Sequence, residues 1–250
     1  MLNGEDYLHD AISSALGQNY TNFEVIVGIN PSSDRTLEIA RSFEGDKRLR
    51  VVAFDESVNM PENFNRTGLL AGGELLKFLC HDDILETNCL NDLVEVFLKS
   101  NGVTFAVGYE SFINSDRRNR GLESFGGQEI VKGKRVIRRI LKYSNWIGGP
   151  SLVLFERSLL EARPFEATLE CSFDLDYWVY LASKGSMGVS KQIVLSSRVH
   201  INQGTNKCLN GGFQKDNQEI LLRIGEMKGA GFLNRTFAVL KSKFIHVYEI

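Results

Sequence analysis

The sequence predicts an α/β fold, helices layered on a mostly parallel central sheet, and three observations carry that prediction. Short apolar runs at Val25 to Ile29, Leu49 to Phe54 and Leu75 to Leu79 alternate with stretches of helical periodicity. Strands separated by helices of about ten to fifteen residues imply right-handed crossovers and parallel pairing. The third run stops at His81-Asp82-Asp83, and an amphipathic segment follows, so acids stand at the carboxyl end of a buried strand. In open α/β sheets ligands sit in that crevice.

Taken in order, Leu8, Ala11, Ile12, Ala15 and Leu16 recur at helical spacing, and Gly17 is a stop signal. Val25 to Ile29 reads as a buried strand, and Asn30-Pro31-Ser32-Ser33-Asp34 is turn chemistry. Leu37, Ile39, Ala40 and Phe43 form the apolar side of the next helix, and Leu49 to Phe54 is the second strand. After Asn59-Met60-Pro61 a helix runs to about Gly72, and then comes the strand into Asp82. Leu85, Leu90, Leu93, Val94, Phe97 and Leu98 mark a helix beyond it. Residues 104–109, 151–155 and 189–195 are further strands, and a helix with an acidic first turn starts at Asp174. Residues 114–133 are polar and glycine-bearing, with Arg117, Arg118 and Arg120 crowded together: a solvated loop, or a lid over an anionic ligand.

The composition narrows the classes. With 250 residues, 43% hydrophobic and 24% charged, the chain suits one large globular domain with or without a small appendage. A formal net charge of -2 argues against a nucleic-acid partner held by bulk electrostatics. The four cysteines, Cys80, Cys89, Cys171 and Cys208, show no C-x-x-C spacing, which argues against a zinc framework. No signal-peptide pattern stands at the start, so a reducing cytoplasm is the default expectation, and the Asn19, Asn65 and Asn234 triplets are expected to carry no glycan. No apolar stretch approaches the roughly 18 to 20 residues of a membrane span. Residues 232–247 read as a surface helix, with a peripheral position at the inner membrane face as the alternative.

The pair Asp82-Asp83 has two readings. Adjacent carboxylates repel unless a cation or proton relieves them, and hard divalent cations take such oxygen ligands. Asp is equally at home at a helix start, as a cap and in the field of the dipole. Spacing leaves both open.

Residues 3–205 as a set resemble the family 2 glycosyltransferases of the GT-A fold. Asn3-Gly4-Glu5-Asp6-Tyr7-Leu8 is similar to the end of the family's opening signature, and Asn22 to Val27 followed by Ser32 to Thr36 to its next one. Asn63-Phe64-Asn65-Arg66 and Lys77 to Asp83 resemble further signatures, the latter standing where the family has D-x-D. Gly148-Gly149-Pro150-Ser151 and Phe173-Asp174-Leu175-Asp176-Tyr177-Trp178 complete the order. Each piece is weak alone; their order and spacing make the resemblance.

The resemblance implies a Rossmann-like three-layer sandwich over residues 1–205, with 206–250 as a C-terminal helical extension. It implies a hexosyltransferase-like enzyme moving a sugar from a UDP- or dTDP-linked donor to a hydroxyl of a glycan or lipid-linked acceptor, with inversion, in surface polysaccharide synthesis. It further implies Mg²⁺ or Mn²⁺ on Asp82, with His200 as a further ligand or diphosphate contact. Asp83 would orient the site, and Asn30, Asn63, Asn65 and Arg66 would line the nucleotide crevice. Asp174 would be the general base, with Asp176 as the competing candidate; neighbours two apart on a helix point in different directions, so only one can face the sugar.

Three departures stand out. The family opens with a buried strand, whereas this sequence starts at Met1-Leu2-Asn3, where that strand has already ended. The sheet is then expected to expose two edges or close with another neighbour, which favours a misplaced start or an inactive copy that binds a partner or sugar nucleotide without turnover. Ile29 and Asn30 stand where an acid usually reads the base, and Cys80 stands at the first position of D-x-D. A nucleotidyltransferase of similar architecture would show a Gly-rich phosphate loop near the start, and none is seen.

Overall fold

The computed structural model describes residues 1–99, 101–113, 128–201 and 203–226. The Arg117, Arg118 and Arg120 segment and the helix expected over 232–247 lie outside the described residues.

The chain opens with α1 (Leu8–Leu16), β1 (Val25–Ile29), α2 (Thr36–Arg41), β2 (Leu49–Ala53) and α3 (Met60–Gly68). Then come β3 (Leu75–Lys77), β4 (Ile84–Leu85), α4 (Cys89–Leu98) and β5 (Val103–Phe112). β6 (Ile130–Val131), α5 (Gly133–Tyr143), β7 (Val153–Glu156) and α6 (Arg157–Ala162) follow. The last described elements are α7 (Phe173–Lys184), β8 (Ser186–Ser197), α8 (Gly204–Lys207) and α9 (Gly212–Glu226). The boundary expected at 205 therefore falls inside α8.

The α/β layering on a central sheet follows the expectation, with short antiparallel pairs beside the parallel ladders. The two long ladders, β1 with β2 and β5 with β8, are parallel. The shorter ones, β3 and β5 with β7 and β4 and β6 with β8, are antiparallel. β7 follows the short 3-10 turn Pro150–Leu152 and lies between β3 and β5, antiparallel to both. β4 replaces what periodicity reads as the start of a helix.

The sheet is also parted. β1 and β2 form one pair, and β3-β7-β5-β8-β4, with β6 also paired to β8, form the other sheet. Two cores match this division: Leu8, Ile12, Val27, Ile29, Ala40 and Leu49 on one side, and a larger cluster on Phe105, Phe155, Tyr177 and Trp178 on the other. On the edge of β1 away from β2, the Met1 ammonium donates to Gly28 O and Asn30 N–H donates to Met1 O, each at 2.7 Å. That is one rung of a parallel ladder.

Local chemistry fixes the elements that carry the site. α3 begins with Asn59 as N-cap and Glu62 reaching back, a capping box with Pro61 in the first turn, worth about 1 kcal/mol. Gly28 lets β1 lie on α3: a Cβ there would stand 2.1 Å from Thr67 Oγ1. Gly133 lets α5 start against the end of α7, where a Cβ would stand 1.8 Å from Ala182 O. α7 is apolar nearly all round and buried, so its acidic first turn is held rigidly. Cys171 and Cys208 form a disulfide, and the buried Asp216 of α9 accepts from the amides of Cys171 (2.8 Å) and Ser172 (3.0 Å). Both ties bind the carboxyl-terminal helices to the start of α7. A covalent link between these cysteines is not foreseen by the expectation of a reducing compartment.

Candidate active site

One cleft of about 2170 Å³ is lined from both parts of the sheet, by Val27 of β1 and Leu76 of β3 among others. Its lining includes Asn30, Asn63, Asp82, Asp83, Asn145 and Asp174. Two acids far apart in sequence thus face one space.

At the first acid, β3 leads into a turn where Cys80 N–H donates to Ser151 Oγ at 2.8 Å. Lys77 Nζ donates to the backbone oxygen of the same serine, so the turn is pinned from below. Asp82 is bonded to His200 Nε2 at 3.0 Å, and both are largely buried. Ligand atoms of Cys80, Asp82 and Asp83 lie within 4.8 Å of one another. Burial pushes the Asp83 carboxyl up to about 6, while the Ser151 and Ser197 hydroxyls and Lys77 pull it back. Burial pushes the Cys80 thiol up as well. Hard carboxylate oxygens with one imidazole suit a cation such as Mg²⁺ or Mn²⁺.

At the second acid, Asp174 sits in the first turn of α7. Asn145 Nδ2 donates to its Oδ2 at 2.8 Å, and Leu175 N–H donates to its Oδ1 at 2.7 Å. Burial pushes this carboxyl up to about 7 against both bonds. A carboxylate poised there can accept a proton near neutral pH. Ser144, just before Asn145, has φ 61 and ψ -147, a conformation a serine holds only at a cost of about 1–3 kcal/mol. Asn145 Oδ1 accepts from Gly148 N–H at 3.2 Å, and Trp178 Nε1 donates to Gly148 O at 3.0 Å. The strained turn is thereby locked and aims the amide at Asp174.

Asp176 points elsewhere. It is buried at 5% exposure, paired with Arg163 and 3.8 Å from Arg223. Burial raises its carboxyl, and the two guanidiniums oppose that rise.

The other expected residues divide. Arg66 donates to Asn30 Oδ1, to Asn63 Oδ1 at 3.1 Å and to Glu56 O at 3.0 Å, with its guanidinium 3.6 Å from the centre of the Phe54 ring. Asn30, Asn63 and Arg66 are thus one network at the end of β1. Asn65 turns away and clasps Phe165, donating to its oxygen at 2.9 Å and accepting from its amide at 2.8 Å. No sequence motif marks Asn145, Ser144 or Ser197. Only the Gly148-Gly149-Pro150-Ser151 signature hinted at this corner.

A family model described as glycosyl transferase family 2 matches residues 1–163. The chain belongs to that family. The match takes in Asp82 and stops short of Asp174. An uncharacterized glycosyltransferase of Rickettsia typhi is 28% identical over 211 residues, 83% of this chain and 64% of that protein, so the family 2 chain spans about two thirds of that relative's length. The Escherichia coli UDP-Glc:alpha-D-GlcNAc-diphosphoundecaprenol beta-1,3-glucosyltransferase WfgD is 26% identical, covering 81% of this chain and 75% of WfgD. Among solved structures, S. aureus TarS 1-349 in complex with UDP-GlcNAc superimposes with a TM-score of 0.73 at 17% identity, over 95% of this chain and 67% of that one. The mannosyltransferase PcManGT of Pyrobaculum calidifontis, in complex with GDP-Man and Mn²⁺, gives 0.67 at 14% identity, over 97% and 67%. This family 2 chain has the fold of the GT-A glycosyltransferases.

Proposed function

We propose that this chain moves a sugar from a nucleotide-diphosphate donor to an acceptor hydroxyl, with inversion at the anomeric carbon, in the assembly of a cell-surface polysaccharide. The observation that carries the reading is that Asp82 and Asp174 line one cleft. Relatives and neighbours named for UDP-Glc, UDP-GlcNAc and GDP-Man support a nucleotide-sugar donor. The diphosphoundecaprenol in the name of WfgD supports a lipid-linked acceptor and, with it, work at a membrane surface. Among the described residues no helix is long and apolar enough to cross a membrane.

Each residue takes a role its surroundings allow. Asp174 accepts the proton of the acceptor hydroxyl as that oxygen attacks the anomeric carbon; the bond to the diphosphate oxygen breaks on the opposite face, which inverts the centre. Asn145 orients the carboxylate. Asp82 and His200 would hold a divalent cation, Mg²⁺ or Mn²⁺, whose positive charge would stabilise a leaving diphosphate. Asp83 orients the turn, and Asn30, Asn63 and Arg66 meet the nucleotide. Asp176, neutralised by two arginines, braces α7, and Asn65 braces the Phe165 loop.

The parted sheet favours a second reading, a domain that binds the sugar nucleotide without turnover. A calorimetric titration with UDP- and dTDP-sugars, with and without Mn²⁺, coupled to an assay for released nucleoside diphosphate, separates the two. Metal-dependent binding with slow donor hydrolysis supports transfer. Binding with no hydrolysis under any acceptor supports the second reading, and no binding at all contradicts both.

A further inference from the structure

We infer that the exposed face of α5 is a docking surface for a bilayer carrying anionic headgroups, and that it seats the protein with one wall of the cleft against that bilayer. The chain as a whole is slightly acidic, at -2, yet Lys132, Lys134, Arg135, Arg138, Arg139 and Lys142 fall within and just before one helix that holds no acid. The apolar side of α5, with Val136 and Ile140, is buried. Lys134, Arg138 and Lys142 are four apart and exposed, so they form a ridge on the opposite side, about 12 Å long at 1.5 Å per residue.

Among the described residues no carboxylate pairs with Lys134, Arg138 or Lys142. Like charges four apart destabilise a helix, and among the described residues no carboxylate offsets that here. The neighbouring acid Glu129 faces Lys99 at 3.4 Å and leaves the ridge alone. An external array of anions supplies the missing partner. A bilayer fits better than a compact anion, because the charges are spread along a straight edge and do not converge on a point. Tyr143 at the end of the ridge is 47% exposed, with Arg139 and Lys142 near its ring, the kind of aromatic that sits at a headgroup boundary.

The ridge also leads somewhere. Lys142 and Tyr143 line the cleft, and two residues on Asn145 holds Asp174. A bilayer lying along α5 would therefore present a lipid-linked hydroxyl on the side of the base. This last step rests on the sugar-transfer reading; the docking itself does not.

The test is co-sedimentation of the full chain with phosphatidylcholine vesicles containing about a third phosphatidylglycerol, at about 0.1 M salt, where long-range attraction is screened. Wild type is expected to sediment with these vesicles and not with pure phosphatidylcholine. At about 1 kcal/mol per cation at such a surface, Lys134→Gln, Arg138→Gln and Lys142→Gln together weaken partitioning on the order of 100-fold. Arg41→Gln, Lys47→Gln and Lys191→Gln remove the same charge from other exposed positions and are expected to leave partitioning within about threefold. Thermal melting of both triple variants reports whether they remain folded. Absence of binding by wild type, whatever soluble polyanion it binds, overturns the inference, and so does an equal loss in both variants. Vesicle binding lost only in the α5 variant, with no sugar transfer by wild type, keeps the docking and discards the transfer reading.

Discussion

The Asn145 amide donates to the Asp174 carboxylate across 2.8 Å, from a strained turn onto an acid that burial pushes up to about 7. A base works only when ionised, so transfer is expected to rise with pH through a midpoint near 7. The same shift has the opposite sign for stability. The folded chain keeps a proton that the unfolded chain releases near 3.8, so this group costs stability as pH climbs from about 4 to about 7.

Asn145→Ala removes a donor that favours the charged form. The Asp174 carboxyl then rises further, and the acid limb of kcat moves up by about one pH unit. Turnover at pH 7 drops several-fold and recovers towards pH 8.5. A profile of kcat against pH checks this; an unmoved limb would show that another group sets it.

Asp176→Asn separates the two acids by their consequences. It leaves Arg163 and Arg223 facing a neutral amide, and since both arginines are about a third exposed the cost is about 1–3 kcal/mol in urea unfolding. The folded fraction keeps its kcat. A loss of kcat as deep as that of Asp174→Asn would return Asp176 to the role of base.

Reducing the Cys171–Cys208 bond opens a loop whose ends are 37 residues apart, worth about 2–4 kcal/mol. Urea melts with and without dithiothreitol are expected to differ by that amount. Because Cys171 lies three residues before Asp174, kcat is expected to fall with reduction.

The apolar end of the cleft predicts a stabilising addition. Val25, Val27, Leu75 and Phe64 line it, and Met1 already holds one parallel rung on β1. Five β-branched apolar residues joined ahead of Met1 run on along that edge and bridge β1 to β3. The melting midpoint is expected to rise by at least about 4 °C, while a Gly-Ser extension of equal length does nothing.

These contrasts also show what the sequence reveals. β1, β2, α4 and α7 are legible because each carries its own period or apolar run, and Asp82 and Asp174 because each sits inside a run of residues resembling a family signature. β4 and β6 are two residues long and have no period to read. α5 hides because it directly follows a long polar stretch and its exposed positions are basic apart from Tyr143, although Val136, Ile137, Ile140 and Leu141 keep helical spacing. The antiparallel placement of β7 between β3 and β5 is a long-range pairing that no local pattern announces. The Asn145–Asp174 bond, the clasp of Asn65 and the disulfide join segments that only the finished fold brings together.

The most direct measurement pairs two variants, Asp82→Ala and Asp174→Asn, each assayed for Mn²⁺-dependent binding of UDP-sugar and for sugar transfer. Asp82→Ala is expected to lose the metal-dependent part of binding. Asp174→Asn is expected to bind donor as wild type does and to lose transfer by at least about 100-fold, the usual weight of a general base. Transfer at the wild-type rate by Asp174→Asn, or unchanged metal-dependent binding by Asp82→Ala, would contradict the account.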